Sequence, residues 1–345
     1  MKIGLVSRFP PEQCGIGIYS DNLYKGLKNN NVEVIRIGNL KSDTEYKIDL
    51  TSFNLKKELK TIIEKENLDL LHIQYIAPYF GKFNLNQNLI QSLKLKIPII
   101  VTLHEVQYSN KGLKNKILRF IEKQIIKKSD KIVVHSPLQK EFLEKSNYTN
   151  IEHVLMGITP LEHKPKNNKS LLCFGIVSRE KGHPFLINAM KSLKDHSLII
   201  AGKPVDHTYE SQLNNLIQEN SLPNVIADFG WISEEAKDKY YLNSSMVILP
   251  YTWGPYTSAV IHDALSYNLP VVVTKVGAVW EIPSTYGIGS VISSESPEEI
   301  VKGIKDIEKN YAKYQSSIKK YRELADWNVL GKTYTTLYEQ MVKNG

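Results

Sequence analysis

Two cations two residues apart, Arg179 and Lys181, lie in GIVSREKGHPF between an apolar run, LLCFGIV, and the start of a helical pattern, with Gly182 permitting the turn. Cationic side chains in a strand-to-helix loop suit a diphosphate, because each supplies charge-assisted hydrogen bonds to phosphate oxygens. Taken alone the pair reads as a surface charge cluster. A second stretch, LPYTWGPYTSAVIHDALSYNLP at 249–270, argues for a site. There an apolar strand ends, and Val260, Ile261, Ala264 and Leu265 take up helical spacing, with Thr257 or Ser258 placed as the cap and Asn268 and Pro270 closing the last turn. Small residues leave the N–H groups of Ser258 and Ala259 open to an anion, and the helix dipole adds partial positive charge at that point. Asp263, the one acid of the stretch, falls in the second turn, where it can accept a hydrogen bond from a sugar hydroxyl; Tyr251 opens the same loop.

Neighbouring strand ends deliver further groups. Gly202 and Lys203 close LIIAGK, and Gly230, Trp231 and Ile232 close another strand, where their backbone can border a flat base. In the first half, His72 and Gln74 (LLHIQY), His104 and Glu105 (VTLHE), and His135 with Ser136 (VVHS) stand at three successive strand ends. A lone histidine is usually structural, but three in this placement favour a site. The loop RFPPEQCGIG brings Gly15 and Gly17 to the start of a helix marked by Tyr19, Leu23 and Leu27, and glycines there let the backbone approach a substrate closely.

The elements that must carry these residues alternate. Strands are expected at Lys2–Ser7, Val32–Ile37, Asp69–Tyr75, Ile99–Leu103 and Lys131–His135, with helices near 54–66, 85–95 and 113–128. After a polar, breaker-rich linker at 156–170 the alternation repeats, with strands at Leu171–Gly175, Ser197–Gly202, Val225–Gly230, Met246–Tyr251 and Val271–Thr274. Ser296, Pro297 and Glu299 spell a capping box for a later helix. Continuous apolar strands between helices imply parallel sheets covered on both faces, the α/β class, with ligands at the strands' carboxyl ends. A dinucleotide fingerprint is missing: Gly15 lies eight residues past Ser7, Ser20 takes the third glycine's place, and Ile37, Gly38 and Asn39 supply no acid, which sets a nicotinamide dehydrogenase aside.

At 345 residues two domains are expected, and a net charge of +8 favours an acidic ligand, a nucleic acid or an anionic membrane. The segment 111–131 carries eight Lys and Arg against two acids, with Leu113, Ile117, Phe120, Ile121 and Ile125 as its apolar stripe. It reads as a sheet-covering helix with a solvated basic face, or as a peripheral contact with an anionic membrane. No nucleic-acid module is recognisable, so nucleic acid is not expected as a partner. Cys14 and Cys173 have no metal-site spacing and are expected as free thiols in the cytoplasm; no signal peptide or membrane span is evident.

The order of FPPEQCGIG, DLLHIQY, VTLHE, SDKIVVHS, GIVSREKG, LIIAG, FGWIS, LPYTWGPYTSAVIHDALSYNLPVV and DWNVLGKTYTTLY resembles the retaining GT-B glycosyltransferases of the family-4 type (glycosyl transferases group 1) over nearly the whole chain. The resemblance implies two Rossmann-like domains facing each other across a cleft: an acceptor-side domain at 1–160, a nucleotide-sugar domain at 161–320, and a helix at 321–345 crossing back to the first. It implies a nucleotide diphosphate sugar as donor substrate, no cofactor, and a glycan or lipid-linked hydroxyl acceptor. It gives Arg179 and Lys181 the donor diphosphate, His104 the donor sugar, Asp263 the ribose, where the family has a glutamate, and Gly15 and Gly17 the loop near the reacting phosphate. The chain departs from the pattern at Pro255, where a first glutamate is usual, and at Ile176, where an arginine is common. The resemblance implies transfer with retention, the leaving phosphate taking the acceptor's proton, and without a metal, with which the lack of any D-x-D pair agrees. The rival readings are a sugar-nucleotide epimerase or phosphorylase of the same build, or a non-catalytic nucleotide-sugar-binding subunit.

Overall fold

The computed structural model describes residues 1–12, 14–81, 86–108, 112–165, 167–254 and 258–344; Lys111, Pro255 and Thr257 lie outside these. The chain divides into two units, Met1–Gly157 with Ala325–Gly345, and Ile158–Leu324. Each is built on its own sheet.

In the first unit the order is β1 (Lys2–Ser7), α1 (Gly15–Asn29), β2 (Glu33–Asn39), β3 (Tyr46–Ile48), α2 (Leu55–Glu66), β4 (Leu70–Tyr75), α3 (Gln87–Ser92), β5 (Ile99–Leu103), α4 (Leu113–Lys128), β6 (Lys131–Val134), α5 (Pro137–Glu144) and β7 (Ile151–His153). The strands form one parallel sheet ordered β3-β2-β1-β4-β5-β6-β7. Every residue of β4 and β5 is buried, as strands covered on both faces require. The short edge strands β3 and β7 were not expected from the sequence.

The second unit holds β8 (Ser170–Phe174), α6 (His183–Ala189), β9 (Ser197–Gly202), α7 (His207–Glu219), β10 (Val225–Phe229), α8 (Glu234–Asn243), β11 (Met246–Leu249), α9 (Ala259–Ser266), β12 (Val271–Thr274), α10 (Glu281–Tyr286), β13 (Gly289–Ile292), α11 (Pro297–Lys309) and α12 (Tyr311–Ala325). Its parallel sheet is ordered β10-β9-β8-β11-β12-β13, with β13 a further unexpected edge. Both sheets reverse direction of growth beside their first strand, at β1/β4 and at β8/β11. In doubly wound sheets that switch point is where ligands bind.

The capping box at α11 is half realised. Ser296 Oγ accepts from the Glu299 N–H at 3.2 Å, while the Glu299 carboxylate turns to Lys302 Nζ, also at 3.2 Å. Ser296→Ala should therefore lower unfolding free energy by about 1 kcal/mol, read from urea titration; an unchanged midpoint would mean that Pro297 and the acidic first turn suffice alone.

The C-terminal segment is two helices, not one. Asp326 breaks it, accepting the Asn328 N–H at 2.8 Å, and α13 (Trp327–Asn344) follows. Trp327, Leu330, Tyr334, Leu337 and Tyr338 recur at helical spacing and are buried on the first unit with Tyr19, Leu23 and Leu27 of α1 and with Ile3, Leu5, Leu70 and Ile100 of the sheet. Small residues set the closeness of the α1–α13 crossing: a Cβ on Gly26 would lie 2.3 Å from the Trp327 carbonyl oxygen, and one on Gly331 would lie 2.3 Å from that of Gly26. No described helix is long and apolar enough to cross a membrane.

Candidate functional site

At the β8/β11 switch point the loop leaving β8 makes a short 3-10 turn, Arg179–Lys181, then Gly182 at φ +70° before α6. The loop leaving β11 lies against it, with the Thr252 N–H donating to the Glu180 carbonyl at 2.9 Å. Lys181 is carried inward, its ammonium 3.6 Å above the ring of Tyr251, itself buried. Burial lowers the Lys181 pKa from 10.5 to about 8, opposed by the charges of Glu180 and Cys173. Tyr251 is pinned at both ends: its hydroxyl meets Ser258 Oγ at 3.1 Å, and its carbonyl accepts from Thr274 Oγ1 at 2.5 Å.

Ser258 occupies the cap position of α9 at φ +65°, an unusual backbone for a side-chain-bearing residue. It does not cap as expected: its hydroxyl is turned to Tyr251 and makes no cap bond to the helix start. The first turn, from Ala259, contains no acid. A half-buried cation, a tyrosine ring and a helix start that the Ser258 side chain does not cap thus lie at the ends of two neighbouring strands, an arrangement that stabilises an anionic oxygen.

Arg179 departs from expectation. Its guanidinium is half exposed, donates to Asp206 Oδ2 at 2.8 Å, and lies 4.9 Å from the centre of the Tyr209 ring. Asp206, the N-cap of α7, offers a carboxylate at hydrogen-bonding distance, so the cation is held in a solvent-exposed ion pair. Asp263 also has a partner, Lys237 Nζ of α8 at 3.4 Å. Burial raises its pKa and Lys237 opposes the rise. Lys237 was not picked out in the sequence, because its only signal is membership of a charged helix. Lys203 is exposed, Ile232 half-buried, and Gly202 serves the sheet: a Cβ there would fall 1.8 Å from the Gly175 carbonyl oxygen.

In the first unit the three strand-end histidines do come together. His72 and His135 are fully buried and His104 nearly so, with His104 and His135 rings 5.3 Å apart and Tyr19 edge-on to His104 at 4.9 Å. Burial holds His72 down to about 3 and His104 well below 6.5, with His135 adding to both. Gly15 and Gly17 open α1, whose N-cap Cys14 makes no side-chain cap bond; a Cβ on Gly15 would meet nothing within 4 Å. Cys14 and Cys173 are both free thiols. Arg8, not singled out in the sequence, stacks 4.2 Å over Tyr79 at this end of β1.

Glu105 is half-buried and burial raises its pKa; with Glu122 of α4 it lines a small cavity that also includes Tyr75, Gln107 and Leu118. Glu122 accepts the Gln107 N–H at 2.9 Å, and burial lifts its pKa to about 7. The face of α4 differs from the expected stripe: Ile121, Glu122, Ile125 and Ile126 are buried, whereas Leu113 and Phe120 are exposed beside Lys114, Lys116 and Lys123.

Comparison with known proteins matches residues 15–160 to Glycosyltransferase Family 4 and residues 160–324 to Glycosyl transferases group 1. The chain is a group 1 glycosyltransferase. An uncharacterised glycosyltransferase of Methanocaldococcus jannaschii is 25% identical over 327 residues, covering 90% of this chain and 89% of its own. Among solved structures, the sucrose-phosphate synthase of Thermosynechococcus elongatus superposes with a TM-score of 0.76 at 19% identity over the full length of both chains. The Anabaena HepE protein in complex with UDP-glucose gives 0.73 at 14% identity, covering 99% of this chain and all of that one. These likenesses give the glycosyltransferase the GT-B fold, with its two Rossmann-like units.

Proposed function

We propose that this glycosyltransferase moves a sugar from a nucleoside diphosphate donor to a hydroxyl acceptor, with retention of anomeric configuration and without a metal. The observation that carries the reading is the grouping of Lys181, Tyr251 and the open start of α9 at the β8/β11 switch point. As the diphosphate departs, charge grows on its oxygens, and the Lys181 ammonium with the N–H groups at Ser258 and Ala259 offsets it where little water competes. Asp263 with Lys237 takes the ribose edge; Gly202, Lys203 and Ile232 border the nucleotide. Arg179 contributes long-range charge more than contact, because Asp206 holds it. From the first unit, His104 engages the donor sugar, Glu105 the acceptor, and Gly15 and Gly17 the reacting phosphate. The departing phosphate oxygen accepts the acceptor's proton, so no separate base is needed. The Anabaena protein's complex with UDP-glucose supports a nucleotide-sugar donor.

A lipid-linked acceptor at an anionic membrane, approached from the cytoplasmic side, is favoured by the outward Leu113 and Phe120 among exposed lysines of α4. Thermal unfolding against UDP-, GDP- and ADP-sugars tests the donor assignment, since stabilisation follows affinity. One nucleotide class should raise the midpoint and the others should not. No shift with any of them, at millimolar ligand, would remove the reading. Turnover of donor with no acceptor present would point to an epimerase instead.

A further inference from the structure

Behind His104 runs a line of buried polar groups. His104 Nε2 lies 2.9 Å from Gln74 Oε1, Gln74 Nε2 lies 3.1 Å from His72 Nε2, and His72 Nδ1 lies 2.7 Å from the Tyr338 hydroxyl. Gln74, His72 and Tyr338 are fully buried, and Thr102 Oγ1, at 2.7 Å from His72 Nε2, closes the side of the line. We propose that Tyr338 of α13 is a positioning residue, fixing through His72 and Gln74 the tautomer in which His104 carries its proton on Nε2.

With the Gln74 amide oxygen toward His104 and its nitrogen toward His72, donor and acceptor chemistry sets each step. The amide oxygen of Gln74 only accepts, so His104 Nε2 must be the protonated nitrogen. The amide nitrogen only donates, so His72 Nε2 must be bare and its proton must sit on Nδ1. That Nδ1–H then needs an acceptor, and in the buried interior it is the Tyr338 oxygen. Burial keeps both rings neutral, as the order of donors requires. Four buried polar side chains in a row are costly unless every group is matched, and in this sense of the line each donor meets an acceptor. The consequence for His104 is an Nδ1 that can only accept. Resting on the role proposed above, the ring takes a hydrogen bond from a sugar hydroxyl and gives none.

Nitrogen-15 NMR of the histidines in the full-length chain tests this. In the unmodified protein His104 should be neutral with its proton on Nε2; a proton on Nδ1 would overturn the proposal outright, because the whole line would then run in the opposite sense. Tyr338→Phe removes one oxygen and keeps the packed ring. It should leave His104 as a mixture of tautomers and lower kcat/KM for transfer roughly tenfold. A His104 signal that stays purely Nε2-protonated would show that Tyr338 only packs. Gln74→Met breaks the line at its middle and gives the same readout should the tyrosine variant fail to fold. The spectra need no substrate, so absence of sugar transfer would count against the proposed function without touching the tautomer result.

Discussion

Lys181→Ala is expected to lower kcat/KM for sugar transfer by roughly 100-fold, the usual cost of removing one preorganised group from a developing oxyanion. It should do so without unfolding the protein. Burial depresses this lysine's pKa from 10.5 to about 8, so charge at this position opposes folding. In terms of linkage, the unfolded chain binds more protons between pH 8 and 10.5; the lysine's contribution to stability is therefore present above 10.5 and lost as pH falls through about 8. The alanine variant should consequently be as stable as the parent, or more so, at neutral pH.

The same shift yields a pH signature. If the ammonium meets the diphosphate, kcat/KM for the parent should be level below about pH 8 and decline above it, and this limb should vanish in the variant. Arg179→Ala should cost much less, because its guanidinium is already paired with Asp206. Steady-state kinetics of the two variants across pH decide the matter. A Lys181→Ala protein within threefold of the parent would take the diphosphate away from the β8/β11 loops.

Gly202→Ala is expected to destabilise the second unit by about 3–5 kcal/mol, placing it among the exceptional single substitutions. Gly202 ends β9 at φ +148°, where side-chain-bearing residues are rarely found, and a Cβ would lie 1.8 Å from the Gly175 oxygen and 2.7 Å from its carbon. The obstruction is backbone, and it cannot swing aside. Gly175 is held by its own N–H to Ala201 O at 3.0 Å, and Gly202 O receives the Gly230 N–H at 3.1 Å, so any shift propagates across three strand ends. Gly15→Ala is the control. An added Cβ there meets nothing within 4 Å, and alanine is the better helix former. Denaturant titration should show a large loss for the first and little change for the second; equal stabilities would mean that the β9 end relaxes freely.

What the sequence made legible follows from where the determining contacts lie. β5, β9, β12 and α4 could be bounded to the residue, because an apolar run or helical spacing is written in their own side chains. The edge strands β3, β7 and β13 could not: YKI, IEH and GSVI are three or four residues long and become strands through the neighbour that pairs with them. The buried face of α4 departs from its apolar stripe for a related reason. Phe120 is apolar yet exposed and Glu122 is charged yet buried, because the Gln107 N–H gives the carboxylate a partner.

Lys181 and Ser258 in the second unit, and the strand-end histidines in the first, were readable as placements at the carboxyl edge of each unit's parallel sheet. Their partners were not. Asp206, which claims Arg179, is 27 residues away, and Tyr338, which meets His72, is 266 residues away. Nothing local to either partner marks it for that role.

The packing of α13 on α1, with Gly26 and Gly331 at the crossing, bears on how the molecule comes off the ribosome. The half synthesised first is completed last: Ile3, Leu5, Tyr19 and Leu23 stay without their cover until residues beyond 325 have been translated, by which time Ile158–Leu324 has already emerged. A nascent chain of this protein therefore displays an apolar face throughout the making of its second half, the kind of exposed surface that favours aggregation.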